Sequence, residues 1–228
     1  MNRLAGRFTD WNEFMGYELK DLLKSRTLFL GTGNKKKILE LMQVLEPRGY
    51  SLKIPSDLPS QIEVDETGAT FLENAKLKAI AQAKHTGLWS IGEDSGLCVL
   101  ALDGAPGIYS ARFSGPNATD ATNNALLLDR MLNIPDSSRD AYYISTIALS
   151  DPSGVVHIEV SGECWGRVLR EPRGDGGFGY DPLFEIPEFH RTFAELGINV
   201  KRAISHRGRS LRAFLNRLDN LAIVGFND

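Results

Sequence analysis

Short apolar runs alternate with stretches of helical periodicity along most of this chain, and this alternation predicts an α/β fold. The first unit consists of an apolar run at 27–30, a turn at 31–34 and a helix. The residues expected to share the apolar face of that helix are Ile38, Leu39, Met42 and Leu45. A strand, a tight turn and a helix in this order predict a β–turn–α unit.

Capping signals and apolar spacing predict three further helices. Thr70 and Glu73 have the spacing of a capping box, so we expect a helix from this point to Gly87. The apolar stretch 121–132 predicts another helix, and the last one is expected to start near Ser205. The apolar positions of the last helix are Leu211, Leu215 and Leu218.

Acidic residues interrupt the strand pattern in the middle of the chain. The run 89–92 predicts a short strand, 93–96 a turn, and 97–102 the next strand. The carboxylates of that turn, Glu93 and Asp94, are therefore expected at the end of a strand.

A long β-hairpin adds an antiparallel element, so the expected sheet is mixed. Its strands are 141–149 and 155–161, joined by the turn sequence 151–154. We expect residues 27–228 to form a single α/β domain with two lobes, and residues 1–26 to form a helical N-terminal extension. The apolar residues at helical spacing in the extension are Trp11, Phe14, Met15, Leu19, Leu22 and Leu23. This helix would dock on the body or on a second subunit, or serve as a partner-binding tail.

Composition and charge restrict the classes of function. The 228 residues include 26 basic and 29 acidic side chains, a net charge of −3, which argues against binding of nucleic acid or membrane surfaces through bulk charge. Two cysteines, Cys98 and Cys164, are too few for a disulfide framework and favour a reducing compartment. No run approaches the roughly 18 to 20 apolar residues of a membrane span, and acidic residues interrupt the region of a secretory signal. We therefore expect a cytoplasmic protein that spans no membrane.

The turn after the first strand has the composition of a phosphate-binding site. Thr32, Gly33 and Asn34 place a hydroxyl, a flexible backbone and an amide at a helix N-terminus, and lysines follow at 35–37. The loop is not a Walker A sequence, and three lysines in a first turn are also compatible with solvated surface charges.

Acids at two separate loop ends suggest a divalent metal. Glu63, Asp65 and Glu66 precede the second helix, while Glu93 and Asp94 lie further along the chain. Mg²⁺ binds one or two protein carboxylates together with waters and substrate phosphate oxygens. Acids before a helix N-terminus also stabilise the helix by capping and through its dipole, so both interpretations stay open.

Cations and an aromatic ring complete the candidate chemistry. Lys78 projects from the polar face of the second helix, either toward a ligand or toward solvent. Lys201 and the segment Ser205–Arg207 bring ammonium, hydroxyl, imidazole and guanidinium groups to the last helix, although Ser205 is also an ordinary N-cap type. Phe178, flanked by two glycines, gains little as a core anchor and is suited to stacking on a nucleotide base.

Six motifs in this order resemble the inosine triphosphate pyrophosphatase family, whose members hydrolyse non-standard purine nucleoside triphosphates. The motifs are Thr32-Gly33-Asn34 with Lys37; Glu66-Thr67-Gly68 running through Phe71, Glu73-Asn74-Ala75 and Leu77-Lys78-Ala79; Asp94-Ser95-Gly96-Leu97; the segment Gly104 to Phe113; Gly177-Phe178-Gly179-Tyr180-Asp181-Pro182; and Ser205-His206-Arg207. The resemblance extends from about residue 27 to residue 219 and leaves the extension unmatched.

The resemblance implies a mixed central sheet flanked by helices, two lobes around a deep nucleotide cleft, and a homodimer. It also implies Mg²⁺-dependent release of pyrophosphate from ITP, dITP or XTP. The implied metal ligands are Glu66 and Asp94, and the implied catalytic residues are Asp94 and Lys78. The implied substrate-binding residues are Thr32, Gly33, Asn34, Lys37, Ser95, Phe178, Gly179, Tyr180, Asp181, Lys201, Ser205, His206 and Arg207. Glu93 stands where many relatives have an aspartate, and its role as a metal ligand or supporting residue stays open.

Within this set, the resemblance implies that Lys37, Lys78 and Lys201 contact the triphosphate, and that Thr32 and Asn34 cradle its phosphates. Phe178 would stack on the base, while Asp181 and 205–207 would read the edge of the base.

Three rival functions differ in what they predict. A related pyrophosphatase would prefer dTTP, UTP or modified pyrimidine nucleotides. A regulatory protein would bind a nucleotide without turnover, which the acids at positions 66 and 94 argue against. A nucleic-acid-binding module would show salt-sensitive binding, which the acidic balance disfavours.

Overall fold

The computed structural model describes residues 21–22 and 24–225. Most of the expected N-terminal helix lies outside the described residues, and the division of the chain at residue 26 stays a prediction. Within the described part, Leu22 is fully buried among residues of the body.

The first β–turn–α unit is confirmed. Strand β1 is Thr27–Leu30 and helix α1 is Lys35–Leu45. Leu41 and Leu45 are the buried residues of α1, and Ile38 and Met42 pack against the same core. The placement of Leu39 on this face is wrong, because its side chain is 54% exposed. Leu39 lies two residues, about 200° around the helix, from Leu41 and therefore points away from the core.

Helix α2 is Phe71–Thr86, and its N-terminus is as expected. Thr70 Oγ1 accepts a hydrogen bond from Glu73 N, and Glu73 Oε2 accepts from Thr70 N, which completes the capping box. The helix packs through Ala75 and Ala79 directly on a strand at Gly92, where an added Cβ would overlap the helix backbone. This close approach requires glycine at position 92.

That strand, β3, is Trp89–Val99, and the expected turn at 93–96 is wrong. The strand is continuous and antiparallel to β4, in register from the pair Ser90 and Ser150 to the pair Val99 and Ala141. Glu93–Gly96 has turn-forming composition, but cross-strand hydrogen bonds and burial on both faces override that local signal.

The remaining elements complete a mixed, open sheet of seven strands. Strands β2 (Ser51–Lys53), β4 (Asp140–Ser150), β5 (Val156–Val168), β6 (Phe184–Ile186) and β7 (Arg191–Thr192) join β1 and β3 in the order β2-β1-β3-β4-β5-β6-β7. Strands β1, β2 and β3 pair in parallel, whereas the pairs from β3 to β7 are antiparallel. The expected α/β class with a mixed sheet and flanking helices is confirmed.

The other helices are α3 (Asp120–Arg130), α4 (Ile198–Ile204) and α5 (His206–Gly225). The buried residues form two large clusters, one around β1, α1 and α5 and the other around the far ends of β3, β4 and β5. Residues of both clusters, among them Leu211 and Tyr143, line one cleft. Within the part of the chain that the structure describes, no helix combines the length and apolar character needed to cross a membrane.

Candidate active site

A cleft of about 960 Å³ brings together the residues that the sequence marked for metal, phosphate and base recognition. The marked residues that line it are Thr32, Gly33, Asn34, Lys37, Glu66, Lys78, Asp94, Ser95, Phe178, Gly179, Tyr180, Asp181, Lys201, Ser205, His206 and Arg207. They come from loops and elements that are far apart in the sequence but share one concave surface.

The edge of β3 explains why Glu93 and Asp94 reach the cleft. Strand β1 ends at Leu30, which pairs with Ile91, and Gly31 N donates the next hydrogen bond to Ile91 O at 2.9 Å. Beyond this point β3 keeps β4 on one edge while its other edge faces the cleft. Successive side chains of a strand point to opposite faces, so the side chains of Glu93 and Asp94 lie on opposite faces of the sheet.

On the face covered by α2, one ammonium group joins two carboxylates. Lys78 Nζ lies 2.9 Å from Glu66 Oε1 and 3.1 Å from Asp94 Oδ1, and it also donates to the carbonyl of Glu93 at 3.3 Å. Asn74, which is fully buried, donates to Asp94 Oδ2 at 3.4 Å. Lys78 therefore points into the cleft and not into solvent.

Burial changes the basicity of Asp94. Desolvation raises the pKa of Asp94 above its usual value, although the nearby Lys78 ammonium opposes this change. A carboxylate with a raised pKa is a better proton acceptor than an ordinary surface aspartate.

The donor set at Glu66 and Asp94 suits a hard divalent cation. Both carboxylates reach the same ammonium group and both line the cleft, so their oxygens lie close together. No group of three or more His, Cys, Asp or Glu side chains with metal-binding geometry occurs among the described residues. Two carboxylates fit Mg²⁺, which takes few protein ligands and fills its shell with waters and phosphate oxygens.

The turn after β1 caps helix α1 and is followed by one largely buried lysine. Asn34 Oδ1 accepts from the backbone amides of Lys36 at 3.0 Å and Lys37 at 3.3 Å, so Asn34 is an ordinary N-cap of α1. The side chain of Lys37 is only 14% exposed and lies 3.7 Å from Glu93, so it is not a solvated surface charge. Burial is the main reason that the pKa of Lys37 lies below its usual value.

The glycine-rich loop places Phe178 beside two ammonium groups. The Nζ atoms of Lys36 and Lys201 lie 4.5 Å and 4.7 Å from the centroid of the Phe178 ring. Asp181 pairs with Lys201 and accepts a hydrogen bond from the backbone amide of Phe178 at 2.8 Å. Gly177 has a φ of +77°, and a Cβ there would overlap the Asp181 carboxylate, so this turn requires glycine.

Lys201 and Tyr180 are already engaged on this side of the cleft. Lys201 is paired with Asp181 next to the ring and not with the carboxylates that hold Lys78. The hydroxyl of Tyr180 donates to the carbonyl of Ser110 at 2.8 Å, so this side chain supports the wall of the cleft.

The start of α5 presents buried polar groups. Ser205 Oγ accepts from Gly208 N at 3.1 Å and is an N-cap, as one of the two interpretations held. The His206 ring stacks on Tyr143 with centroids 4.6 Å apart and planes 9° apart. His206 Nδ1 and Arg207 Nη1 are buried and have no hydrogen-bond partner among the described residues. Burial, followed by the charge of Arg207, holds the pKa of His206 well below its usual value, so the imidazole is neutral at neutral pH.

Several contributors were not among the candidate site residues, although Asn74 lies in one of the six motifs. Asn74 supports Asp94 from α2, Ser145 donates to Glu93 at 3.2 Å from β4, and Asp120 accepts from the amide of Gly179 at 2.8 Å from α3. Glu40 Oε2 lies 2.8 Å from Arg207 Nε. These residues are single polar side chains in regular elements, and only the packing of those elements shows what they contact.

Comparison with known proteins identifies the family. The family model described as the Ham1 family matches residues 28–217. The chain belongs to the Ham1 family. The match covers every residue of the cleft named above, so the shared architecture of Ham1 proteins includes the candidate site.

Named relatives of this Ham1 protein agree with the resemblance seen in the motifs. It is 49% identical over 191 residues to a protein of Rhodopirellula baltica named dITP/XTP pyrophosphatase, covering 84% of this chain and 92% of the relative. A relative of the same name from Desulforamulus reducens is 46% identical over 196 residues, covering 86% of this chain and 97% of the relative. The expected membership of a purine nucleotide pyrophosphatase family is confirmed.

Solved structures confirm the fold of this Ham1 protein. The Ham1 protein of Staphylococcus aureus superposes with a TM-score of 0.78 at 35% identity, covering 85% of this chain and 98% of that one. A Ham1 protein from Coxiella burnetii gives a TM-score of 0.76 at 37% identity, covering 89% and 99% of the two chains.

Proposed function

We propose that this Ham1 protein hydrolyses non-standard purine nucleoside triphosphates such as ITP, dITP and XTP to the monophosphate and pyrophosphate. The observation that carries the proposal is the contact of Lys78 with both Glu66 and Asp94, in a cleft that also holds Phe178 and the buried pair His206–Arg207. One part of this cleft suits a polyphosphate and another suits a planar base. Relatives at 46–49% identity bear the name dITP/XTP pyrophosphatase.

The phosphate chemistry needs a positioned water and positive charge near the leaving pyrophosphate. Asp94, with its raised pKa, would orient the attacking water and accept its proton. Lys78 would stabilise charge on the phosphate oxygens, with Lys37 and Lys201 contributing from the neighbouring walls of the cleft. Thr32 and Asn34 would position the phosphate chain at the start of α1.

We propose Mg²⁺ as the cofactor, held by Glu66 and Asp94. When bound, the ion would withdraw charge from phosphate oxygens and help to orient the triphosphate. In this structure, Lys78 is the cation that lies between the two carboxylates.

Base selection would rest on the 6-oxo group of the purine. That oxygen only accepts hydrogen bonds, so it suits the unpaired Arg207 Nη1 donor and the neighbouring 205–206 segment. The 6-amino group of adenine would place a donor against a donor, and a buried unpaired donor costs about 1–3 kcal/mol. Phe178 would stack on the base once the ammonium groups of Lys36 and Lys201 move away from its ring.

A panel of nucleoside triphosphates, assayed with and without Mg²⁺, tests the proposed function directly. We expect ITP, dITP and XTP to release pyrophosphate, and not orthophosphate, only when Mg²⁺ is present. ATP should be a poor substrate. Preferential turnover of dTTP, UTP or a modified pyrimidine nucleotide would support the related pyrophosphatase instead. Tight binding of ITP with no product would support a regulatory nucleotide-binding protein.

We also propose that the protein acts as a homodimer in the cytoplasm, without nucleic-acid or membrane partners. Trp165 is 53% exposed on β5 and stacks on Tyr142 of β4 with ring centroids 4.7 Å apart, an aromatic surface suited to a second copy of the chain. Cys98 and Cys164 are free and buried, as a reducing compartment favours.

Light scattering after size-exclusion chromatography tests the dimer. We expect a dimeric mass for the wild-type protein and a monomeric mass for Trp165→Glu, because a charge in the centre of an apolar contact is left without a partner. Leu39→Glu is the matched control, since Leu39 is an exposed apolar residue on α1, and it should stay dimeric. A monomeric wild-type protein at micromolar concentration, or a dimeric Trp165→Glu variant, contradicts this arrangement.

A further inference from the structure

Glu93 is a buried carboxylate that none of the proposed steps uses. Glu93 is only 3% exposed, and its side chain lies on the face of β3 opposite to that of Asp94. Arg207 Nη2 donates to Glu93 Oε2 at 3.0 Å, and Ser145 Oγ donates to Glu93 Oε1 at 3.2 Å. Lys37 Nζ lies 3.7 Å from the same Oε1. One carboxylate thus joins a residue of the base side of the cleft to a residue of the phosphate side.

We propose that Glu93 is a positioning residue that holds Arg207 and Lys37 in place for purine recognition, and that it is not a metal ligand. This inference rests on the proposed function, because Arg207 and Lys37 are taken to contact the substrate. Glu93 itself acts through these two cations and contacts no reacting atom.

Two of the three side-chain nitrogen atoms of Arg207 lie beside carboxylates. Nη2 donates to Glu93, and Nε lies 2.8 Å from Glu40 Oε2, as an ion pair without the alignment of a hydrogen bond. Nη1 is buried and has no hydrogen-bond partner among the described residues. The two carboxylates therefore restrict the plane of the guanidinium, and Nη1 is the donor left for a ligand.

Glu93 and its two cations are buried together. Glu93 is 3% exposed, and its carboxylate lies 3.0 Å from Arg207 Nη2 and 3.7 Å from Lys37 Nζ. A carboxylate with so little exposure needs such partners, because an unpaired buried charge is strongly unfavourable. Conversely, the two cations are kept in the wall of the cleft by the charge of Glu93.

Glu93 lies on a different face of the sheet from the proposed metal ligands. Both of its carboxylate oxygens already have partners on its own face of β3, namely Arg207, Ser145 and Lys37. Asp94 and Glu66 meet around Lys78 on the other face. A side chain of a strand lies on one face of the sheet only, so Glu93 does not join Asp94 and Glu66 at the proposed metal site.

The test compares affinity for ITP and ATP in the wild-type protein and in Glu93→Gln, by calorimetry in EDTA. Glutamine keeps the size of the side chain but removes the charge that holds Arg207 and Lys37. We expect the ITP-to-ATP affinity ratio to fall about fivefold to tenfold, and the same ratio of kcat/KM to fall equally. The Mg²⁺ concentration for half-maximal turnover should stay within twofold of the wild-type value.

Two further variants are compared with Glu93→Gln, one that keeps the charge and one at a surface glutamate. Glu93→Asp keeps the charge on a shorter arm, so its ratio should lie between those of Glu93→Gln and the wild type. Glu159→Gln is the matched control, since Glu159 is a 39% exposed glutamate paired with Lys76 at 2.7 Å, and its ratio should be unchanged. Should Glu93→Gln fail to fold, Glu93→Asp decides, and a wild-type ratio in that variant overturns the proposal.

A purely structural role would lower the active fraction equally for both nucleotides, so an unchanged ratio in folded Glu93→Gln overturns the proposal. A raised Mg²⁺ requirement with an unchanged ratio would make Glu93 a metal ligand and also overturns it. The proposed function fails separately, if the wild-type protein binds ITP in EDTA but releases no pyrophosphate when Mg²⁺ is added.

Discussion

Asp94→Asn is expected to lose at least about 100-fold in kcat for ITP, which corresponds to roughly 2.7 kcal/mol of activation free energy. Asparagine has the same size, and its one carbonyl oxygen can still accept the hydrogen bond from Lys78, so the side chain should keep its position although the weaker contact with Asn74 at 3.4 Å is lost. It has no negative charge for a cation and cannot accept a proton from water. The loss should therefore appear in the chemical step and not in the fold.

The measurement is kcat at saturating ITP and Mg²⁺, with thermal unfolding recorded on the same samples. Asp65→Asn is a suitable control, because Asp65 is an exposed aspartate adjacent to Glu66 and should keep kcat within about twofold of the wild-type value. Turnover close to that of the wild type in a folded Asp94→Asn variant would rule out the proposed role of Asp94.

Arg207→Ala should reduce the preference for ITP over ATP, measured as the ratio of kcat/KM values, by at least about 30-fold or roughly 2 kcal/mol. In the proposed site, the wild-type ratio would reflect a donor that pairs with a 6-oxo group and opposes a 6-amino group. Without the guanidinium, neither purine meets a charged donor at this position. The effect should exceed that of Glu93→Gln, which leaves Arg207 present but less restrained.

Stability and specificity must be separated in this experiment. Removing Arg207 leaves the buried Glu93 carboxylate with one cation fewer, so we expect a lower melting temperature as well. The ratio of kcat/KM values for two substrates is independent of the fraction of folded enzyme, which makes it the decisive quantity. Arg209→Ala, at an exposed position on the same helix, should leave the ratio unchanged. An unchanged ratio in Arg207→Ala would remove Arg207 from base recognition.

The sequence alone predicted much of the local structure. The predictions that the structure confirms depend on residues that are close together in the chain. The β–turn–α unit at 27–45 and the capping box of Thr70 and Glu73 depend on neighbours within about one helical turn, so their signals are local. The motifs also marked chemical groups that we expect to meet a nucleotide, and the metal, catalytic and substrate-binding residues implied by the resemblance all line one cleft. Residue types and short spacings are properties of the chain before it folds.

The errors at Leu39 and at 93–96 have the opposite origin. Leu39 is at an apolar position, but which side of α1 is covered depends on the packing of α1 against the sheet and α5. The 93–96 segment has turn-forming composition, yet β4 pairs with it throughout and makes it strand. A local sequence pattern gives no information about which distant elements pack or pair with a segment.

The sequence by itself determined the β–α alternation, the capped helix starts and the set of acids, lysines and aromatic rings available for nucleotide chemistry. Only the tertiary structure decided that Asp94 faces Lys78 and Glu66 while Glu93 faces Arg207, a residue 114 positions further along the chain. The physical reason is that periodicity and capping act over a few residues. The charges that keep a buried carboxylate ionised come from whichever elements the packed core brings beside it.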